Sequence, residues 1–377
     1  MLGVGLAAWG PRISGVPGHG RGPRQSTPPT FYRDVLPILQ QHCQACHRAG
    51  EIAPFALVTL AQARPRAAAI AQATRARVMP PWFADPGVGS FANDPSLSPA
   101  EIRVLAAWAA AGAPAGPPAA ASPRATFAAG WNIAAPQAVF RLPEPVSVPA
   151  AGVVEYTYEI VPSGFAQGRW VQQAELRPSS RAHVHHAVVY VRPPDSSWLR
   201  GAPVGVPFTA SSLGRKSLWT DSEILLVYAP GSAPDRWPPD LGKYVPAGSD
   251  LVFQMHYTTN GHAAADQSSL GLVFNPSPPQ RRVLTLQLTN DTFIIPPGAP
   301  DVRVEVHGTL PGAATLLSFF PHMHLRGKAF EYNLVAPNGR STPLLRISHY
   351  NFYWQRSYRL RQPLALPAGA ELQAVAW

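Results

Sequence analysis

Two cysteines and a histidine form the first group of residues that could carry chemistry. Cys43 and Cys46 are separated by two residues, and His47 follows directly. On a helix, cysteines three positions apart project from one face and can bond to the two vinyl groups of a haem, while the adjacent imidazole binds the iron. A redox pair would need a strand–turn–helix context, and a zinc site would need a second pair of cysteines. The motif favours a covalently attached c-type haem over these two alternatives.

A haem iron held by one histidine takes its sixth ligand from a soft sulfur or a second imidazole. Apart from the first residue, Met79 is the only methionine ahead of Met255, and two prolines follow it. Those prolines favour extended loop backbone over helix at this position. A lone methionine often fills a core, so the assignment depends on the haem. We expect Met79 to bind the iron on the side opposite His47.

Five histidines form the second group, namely His185 and His186, then His256, then His322 and His324. Alternate residues of a strand share a face, so His322 and His324 can hold one metal. Adjacent His185 and His186 would point to opposite faces unless the strand bulges or ends there. Copper heads the affinity order for imidazole sites, and zinc is the competitor, although no H-E-x-x-H motif is present. One such histidine alone is more often structural, so the whole set carries the interpretation.

The haem motif lies within a segment that carries helical signals. Apolar residues at helical spacing run from Phe31 into Cys43, and a second helix is predicted over Leu57–Ala76 with a break at Pro65. A capping box with proline at the first helical position opens a third helix. Residues 31–115 are therefore predicted to form a small all-α, cytochrome c-like domain, in which a prosthetic group would add to a small core.

Beyond residue 134 the apolar period changes from helical to two, with frequent Pro and Gly turns. Many short strands of this kind predict jelly-roll β-sandwiches, which we divide near Pro279. The predicted strands are Val153–Val161, Val184–Arg192, Glu223–Tyr228, Asp250–Tyr257, Val283–Leu288, Val302–Val306, Thr315–Phe320, Phe330–Val335, Tyr353–Leu360 and Glu371–Ala376. The predicted multidomain order is a leader at 1–30, a haem domain at 31–115, a linker at 116–134, and sandwiches at 135–279 and 280–377.

Composition excludes several classes of protein. With 46% hydrophobic and 14% charged residues, the chain is not dominated by disorder. Its 31 Lys+Arg against 21 Asp+Glu give a net charge of +10, but the basic residues are scattered and no nucleic-acid partner is expected. No apolar run reaches the length of a membrane span, so no integral membrane segment is expected. The apolar start lacks a basic n-region and a clear cleavage site, so it is either a degraded export signal or a misassigned start, and the Gly/Pro/Arg/Ser-rich stretch after it suggests a flexible leader.

Three stretches around the histidines resemble, in order and spacing, the copper type II, ascorbate-dependent monooxygenase family, which includes peptidylglycine α-hydroxylating and dopamine β-monooxygenases. They are Ala182–Val189, Gln254–Gly261 and Phe319–Lys328, and the resemblance covers residues 135–377. The segment 31–115 is similar to the c-type cytochrome modules fused ahead of such domains in bacterial proteins. Its markers are Met79-Pro80-Pro81-Trp82 and the run from Leu97-Ser98 to Pro114.

The resemblance implies a pair of jelly-roll sandwiches with two copper ions, one on each. It implies that His185, His186 and His256 bind an electron-storing copper. His322 and His324 would bind the copper at which O2 is activated and a C–H bond of a small organic substrate is hydroxylated. The haem implies that electrons come from a periplasmic donor, in place of or alongside an ascorbate-like reductant. A periplasmic or secreted location in a bacterium is therefore expected.

The sequence departs from the family pattern at two places. The family's third ligand to the second copper is a methionine downstream of the H-x-H pair, and no methionine follows Met323. The sequence stops at Trp377 within a strand pattern, so we expect the second sandwich to be truncated. Phe319 and Phe320 stand where the peptide-hydroxylating branch has an arginine, which disfavours a peptide carboxylate. The alternatives are a non-enzymatic haem/copper electron-transfer protein with a vestigial oxygen site, and a structural sandwich with incidental histidines.

Overall fold

The computed structural model describes residues 27–123, 125–127, 130–215, 217–218, 220 and 222–377. The predicted export signal falls almost wholly on residues 1–26 and so lies outside the described residues. The chain is mostly β, as predicted, and the α-helices of the described residues lie in its first third. Over the described ranges, no helix is long and apolar enough to cross a membrane.

The helix ahead of the haem motif is shorter than predicted. A π-helical turn, Phe31–Val35, leads into α1 (Leu36–His42), and Cys43 is already the C-cap. The Cys43 carbonyl accepts hydrogen bonds from the amides of Cys46 and His47, at 3.1 and 2.9 Å. The expectation that both cysteines lie on a helix is therefore wrong. A tight turn after the helix carries the motif.

The other helices follow their sequence signals. The second predicted helix is split at Pro65, as expected, into α2 (Leu60–Ala63), a 3-10 turn and α3 (Ala67–Arg75). The third is α4 (Pro99–Ala110), and its predicted capping box is confirmed, because Ser98 and Glu101 exchange side-chain-to-backbone hydrogen bonds. These helices share a core in which Leu105 and Trp108 are fully buried.

Thirteen of the described strands lie between residues 138 and 282. They are β1 Ala138–Arg141, β2 Val146–Val148, β3 Thr157–Pro162, β4 Arg169–Arg177, β5 Val184–Arg192, β6 Phe208–Thr209, β7 Ile224–Tyr228, β8 Asp235–Arg236, β9 Leu241–Val245, β10 Asp250–Tyr257, β11 Ala264–Asp266, β12 Ser269–Phe274 and β13 Arg281–Arg282. Two sheets of order β1-β12-β4-β9-β13 and β6-β3-β10-β5-β7 enclose a core that includes Leu251 and Phe253 of β10 and Leu270 of β12. This unit is a β-sandwich.

The five-stranded sheet of this sandwich uses both of its faces. Because side chains alternate along a strand, Phe253 and Met255 of β10 face the core between the sheets. The opposite, outer face carries a second apolar cluster that includes Tyr158, Val188 and Val252. His256 follows Met255 and therefore belongs to the outer face.

The remaining strands form a smaller β unit. They are β14 Val304–Thr309, β15 Ala314–Phe319, β16 Phe330–Val335, β17 Ser341–Ile347, β18 Tyr358–Leu366 and β19 Glu371–Ala376. A sheet of order β14-β19-β16-β17 lies with the pair β15-β18 around a core that includes Leu345 and Tyr358. Phe91, from the loop between α3 and α4, is buried in the same core and bridges to Leu360 of β18. Residues 31–115 thus contribute to two cores.

One predicted strand is absent and another begins later than expected. Val283–Leu288 has the right alternation but forms no ladder, and Leu284 and Leu286 are more than half exposed. Tyr353–Leu360 is displaced, because β18 begins at Tyr358. The predicted linker is also shorter than expected, since the amide of Asn132 donates to the carboxylate of Glu175 in the first sandwich.

Candidate metal centre

His185, His186 and His256 lie together at the end of the outer face of the five-stranded sheet. In the ladder between β5 and β10, His256 pairs with His186 but Tyr257 pairs with Val184, so His185 is an extra residue. This is the bulge predicted from the adjacent histidine pair, and it is confirmed. By re-aiming one side chain, a bulge allows two successive residues to reach one place.

The ring nitrogens of the three histidines converge. One ligand atom from each lies within 4.8 Å of the other two. His185 donates from Nε2 to the Phe352 carbonyl at 2.8 Å, so its Nδ1 carries the lone pair, and this Nδ1 is 3.0 Å from Nδ1 of His186. Nδ1 of His256 is buried and has no hydrogen-bond partner. A metal ion would satisfy that orphaned nitrogen, so the donor set fits a metal.

The three imidazoles are held in the neutral form that binds metals. Burial, followed by the neighbouring histidines, lowers the pKa of His256 to about 3. The same causes lower the pKa of His186 well below its usual value, and burial lowers that of His185. The site is therefore ready to accept a cation without first losing protons.

His322 and His324 lie in the loop after β15, so the expectation that they are strand residues is wrong. His322 donates from Nδ1 to Oε1 of Gln355 at 2.9 Å, which leaves its Nε2 with the lone pair. The Gln355 amide also donates to the Met323 carbonyl, and the Tyr350 hydroxyl bonds to both the amide and the carbonyl of Met323. The loop is thus clamped at Met323, between its two histidines.

The side chain of Met323 packs against the core of the smaller β unit. It therefore faces away from the metal candidates. The clamped backbone of the loop, and not the alternation of a strand, provides this separation.

The two histidine sets form one cluster at the junction of the two β units. The rings of His186 and His322 are 5.1 Å apart between centroids, and those of His322 and His324 are 5.2 Å apart. His322 and His324 are exposed to solvent. Protein nevertheless surrounds His322 closely enough that burial lowers its pKa to about 4. The pair is therefore accessible to water, next to a triad in which His185 and His186 are buried.

His183 shares a strand face with His185 by spacing and is the natural replacement if His186 were not a ligand. Both of its ring nitrogens are already engaged. Nδ1 is 2.8 Å from the Ser180 hydroxyl, and Nε2 is 2.9 Å from Oδ1 of Asn260. His183 is therefore a structural residue that fixes the approach to β5.

The residues of the Cys-x-x-Cys-His turn have donor atoms that a haem could use. His47 donates from Nδ1 to the Phe55 carbonyl at 3.1 Å, so Nε2 is the nitrogen left to bind iron. Burial lowers the pKa of His47 and raises the pKa of Cys43 to about 12. Raised thiol pKa values do not suit a redox pair, whose attacking thiol is acidified. Met79 lies in the loop after α3 and is half-buried.

A short segment, residues 352–356, joins the haem motif to the histidine cluster. The Phe352 carbonyl binds His185, and Gln355 binds His322. Next in the chain, Arg356 is buried and its guanidinium reaches Pro230 and Gly231. Sequence reasoning missed this segment because it was assigned to a strand. Its mixed aromatic and polar composition, Phe-Tyr-Trp-Gln-Arg, was the signal available.

Cys46 and Arg356 both lie close to Gly231. A side chain built at Gly231 would collide with the guanidinium of Arg356 and would stand 3.7 Å from the Cys46 sulfur. The backbone here is at φ +74°, which also favours glycine. Gly231 therefore permits close contact between the haem-motif turn and the segment that holds the histidines.

No protein-family model matches the chain, and no curated protein matches it either. The arrangement of its own residues is therefore what supports a function. That arrangement is three convergent neutral imidazoles, two more next to them, and a Cys-x-x-Cys-His turn that contacts the same junction.

Proposed function

We propose that this protein is a copper-dependent monooxygenase that hydroxylates a C–H bond of a small organic substrate with O2. Electrons would enter through a haem bonded to Cys43 and Cys46, with His47 and Met79 as iron ligands. The observation that carries the proposal is the convergence of His185, His186 and His256 beside a second, solvent-accessible pair of imidazoles.

The two histidine sets suit different tasks. His185 and His186 are 4% and 2% exposed, so a copper there would be shielded from substrate and suited to storing an electron. His322 and His324 are exposed, so O2 and a substrate could reach them. Copper bound at these positions would supply one-electron redox chemistry and O2 activation. The Phe352 carbonyl and the bulge in β5 orient the imidazoles of the triad. Gln355 and Tyr350 orient those of His322 and His324.

The approach to His322 is apolar. The Phe320 ring is nearly parallel to the His322 ring with centroids 6.4 Å apart, whereas Phe319 is buried in the core. An aromatic wall favours an apolar substrate over one anchored by a carboxylate. A periplasmic or secreted location, with a periplasmic donor or an ascorbate-like reductant, belongs to the same proposal.

A non-enzymatic haem/copper electron-transfer protein is the second candidate. One observation favours it, namely that Met323, the methionine between His322 and His324, packs into the core of the smaller β unit and offers them no sulfur ligand. A redox carrier needs no oxygen-activating site beside its first metal.

The Cu:Fe ratio of the chain, matured with haem and loaded with copper, tests the proposal. We expect about two coppers per iron, one lost in His256→Ala and the other in His322→Ala/His324→Ala. His307→Ala is the matched control, because that histidine pairs with Glu371 away from the cluster. A single copper that is insensitive to the double variant would contradict a second metal site.

Product formation separates the two candidates. With both coppers present, incorporation of labelled oxygen from O2 into a hydrocarbon-bearing substrate supports the monooxygenase. Reversible reduction and oxidation of haem and copper, with no labelled oxygen incorporated into any of a panel of apolar substrates, would favour the electron-transfer protein.

A further inference from the structure

Tyr156 stands between the two histidine sets. Its ring is stacked on His256 with centroids 4.5 Å apart and an interplanar angle of 22°. Its ring centroid is 5.6 Å from that of His186, and its hydroxyl oxygen is 3.4 Å from Nε2 of His324. One side chain therefore contacts histidines of both β units.

The position of Tyr156 is fixed by its neighbours rather than by chance contact. The carboxylate of Glu155 accepts hydrogen bonds from the amide and hydroxyl of Ser211, at 3.0 and 2.6 Å. Tyr158, two residues further on, lies on the outer face of the sheet, so alternation places Tyr156 on the same face as His256. The phenol of Tyr156, one residue ahead of β3, thus points towards His324.

The 3.4 Å separation is long for a hydrogen bond from a hydroxyl, which is normally well under 3 Å to an oxygen and close to 3 Å to a nitrogen. The distance matches the spacing of two donor atoms on one metal ion. Metal–donor bonds of about 2.0–2.2 Å at a tetrahedral angle leave the two donor atoms about 3.3–3.6 Å apart. His324 Nε2 and Tyr156 Oη are therefore spaced as two donors of one ion.

The pair His322 and His324 supplies two nitrogens, one fewer than the three imidazoles of the first site. The amide oxygen of Gln355 is already used by His322. Met323 packs into the core of the smaller β unit. Tyr156 places an oxygen close to a nitrogen of the pair.

We propose that Tyr156 is a third protein ligand of the metal held by His322 and His324, and that it supplies a hard, anionic oxygen. This inference rests on the proposed function, since it needs a metal at that pair. The bond formed is metal–oxygen and the bond broken is O–H, whose proton leaves to solvent, because a coordinated cation displaces such a proton. The site would then prefer Cu2+ to Cu+, unlike one completed by a thioether.

The test measures Cu2+ and Cu+ affinities of the second site by chelator competition, in the full haem-containing chain. Tyr156→Phe keeps the ring that stacks on His256 and removes only the oxygen. Tyr158→Phe is the matched control, since that hydroxyl accepts from Gln254 at 2.6 Å and faces no histidine of the cluster. Retained haem absorption and a retained first copper show that the variants are folded.

We expect Tyr156→Phe to weaken Cu2+ binding at the second site by more than about 100-fold, since loss of residues that merely orient a ligand already costs about 10–100-fold. Cu+ binding should fall by less than about tenfold, because a soft cation gains little from a hard oxygen. Equal losses for both ions, or none, would overturn the inference and leave the proposed function standing. A wild-type chain with a single copper would refute both, and would be seen before any variant is made.

Discussion

Burial shifts the pKa values of two kinds of titratable residue in the first sandwich in opposite directions, and in both cases it favours the neutral form. It keeps the cluster histidines neutral, and it raises the pKa of Glu159 to about 7. Glu159 is 1% exposed, its Oε1 accepts from the Glu144 amide at 3.2 Å, and its Oε2 is buried without a partner. Because burial without a partner for Oε2 disfavours the charged carboxylate, Glu159 stays protonated at higher pH than a free glutamate.

Glu159 should make the sandwich less stable as the pH rises. The unfolded chain releases this proton near pH 4.5 and the folded chain near pH 7, so between these values unfolding releases a proton and is favoured by rising pH. At about 1.4 kcal/mol per pH unit, the wild type should lose about 3 kcal/mol relative to Glu159→Gln over that window. Denaturant unfolding of both proteins at several pH values measures the difference. Parallel curves would show that Glu159 is charged in the fold.

At the scale of elements, irregular backbone positions three of the five candidate histidines. The bulge in β5 brings His185 beside His186, and the clamped loop after β15 presents His322 and His324. The bulge was predictable, because two adjacent histidines cannot share a face of a regular strand. The loop was not, because H-x-H alternation is also what a strand would show.

Gln355 should orient His322 without touching the metal. Gln355→Leu removes the acceptor of the His322 Nδ1 proton, and loss of such a partner typically weakens metal binding by about 10–100-fold. We expect that loss at the second copper, with the first copper unchanged. Gln373→Leu, which alters a glutamine bonded to Glu305 on β14, is the control. An equal loss of both coppers in Gln355→Leu would point to general unfolding instead.

At the scale of the whole molecule, the helical segment and the two β units are joined by specific contacts. Glu51, in the turn after the haem motif, forms ion pairs with Arg48 and with Arg181 just ahead of β5. Phe91 completes the core of the smaller β unit from a loop that precedes α4. These contacts join the Cys-x-x-Cys-His turn to the β unit that carries the histidine triad, as the proposed electron transfer would require.

Phe91→Ala should destabilise a part of the chain that is remote in sequence. Removing a buried phenylalanine costs about 3–5 kcal/mol, and here the cavity opens beside Leu360. Hydrogen exchange should therefore rise in β18 and β16 and stay slow in α1. Leu105→Ala, in the helical core, should produce the reverse pattern. Faster exchange of the helices alone in Phe91→Ala would refute the shared core.

The sequence by itself determined the mostly β fold, the capped α4, the break at Pro65 and the identity of the candidate ligands. Periodicity, capping and residue chemistry are local, so they can be read without the fold. Only the tertiary structure decided that two histidine sets adjoin, that Tyr156 lies between them, and that residues 352–356 link them to Cys46. Those are contacts between segments about 30 to 310 residues apart, which depend on how sheets and loops pack rather than on any local pattern.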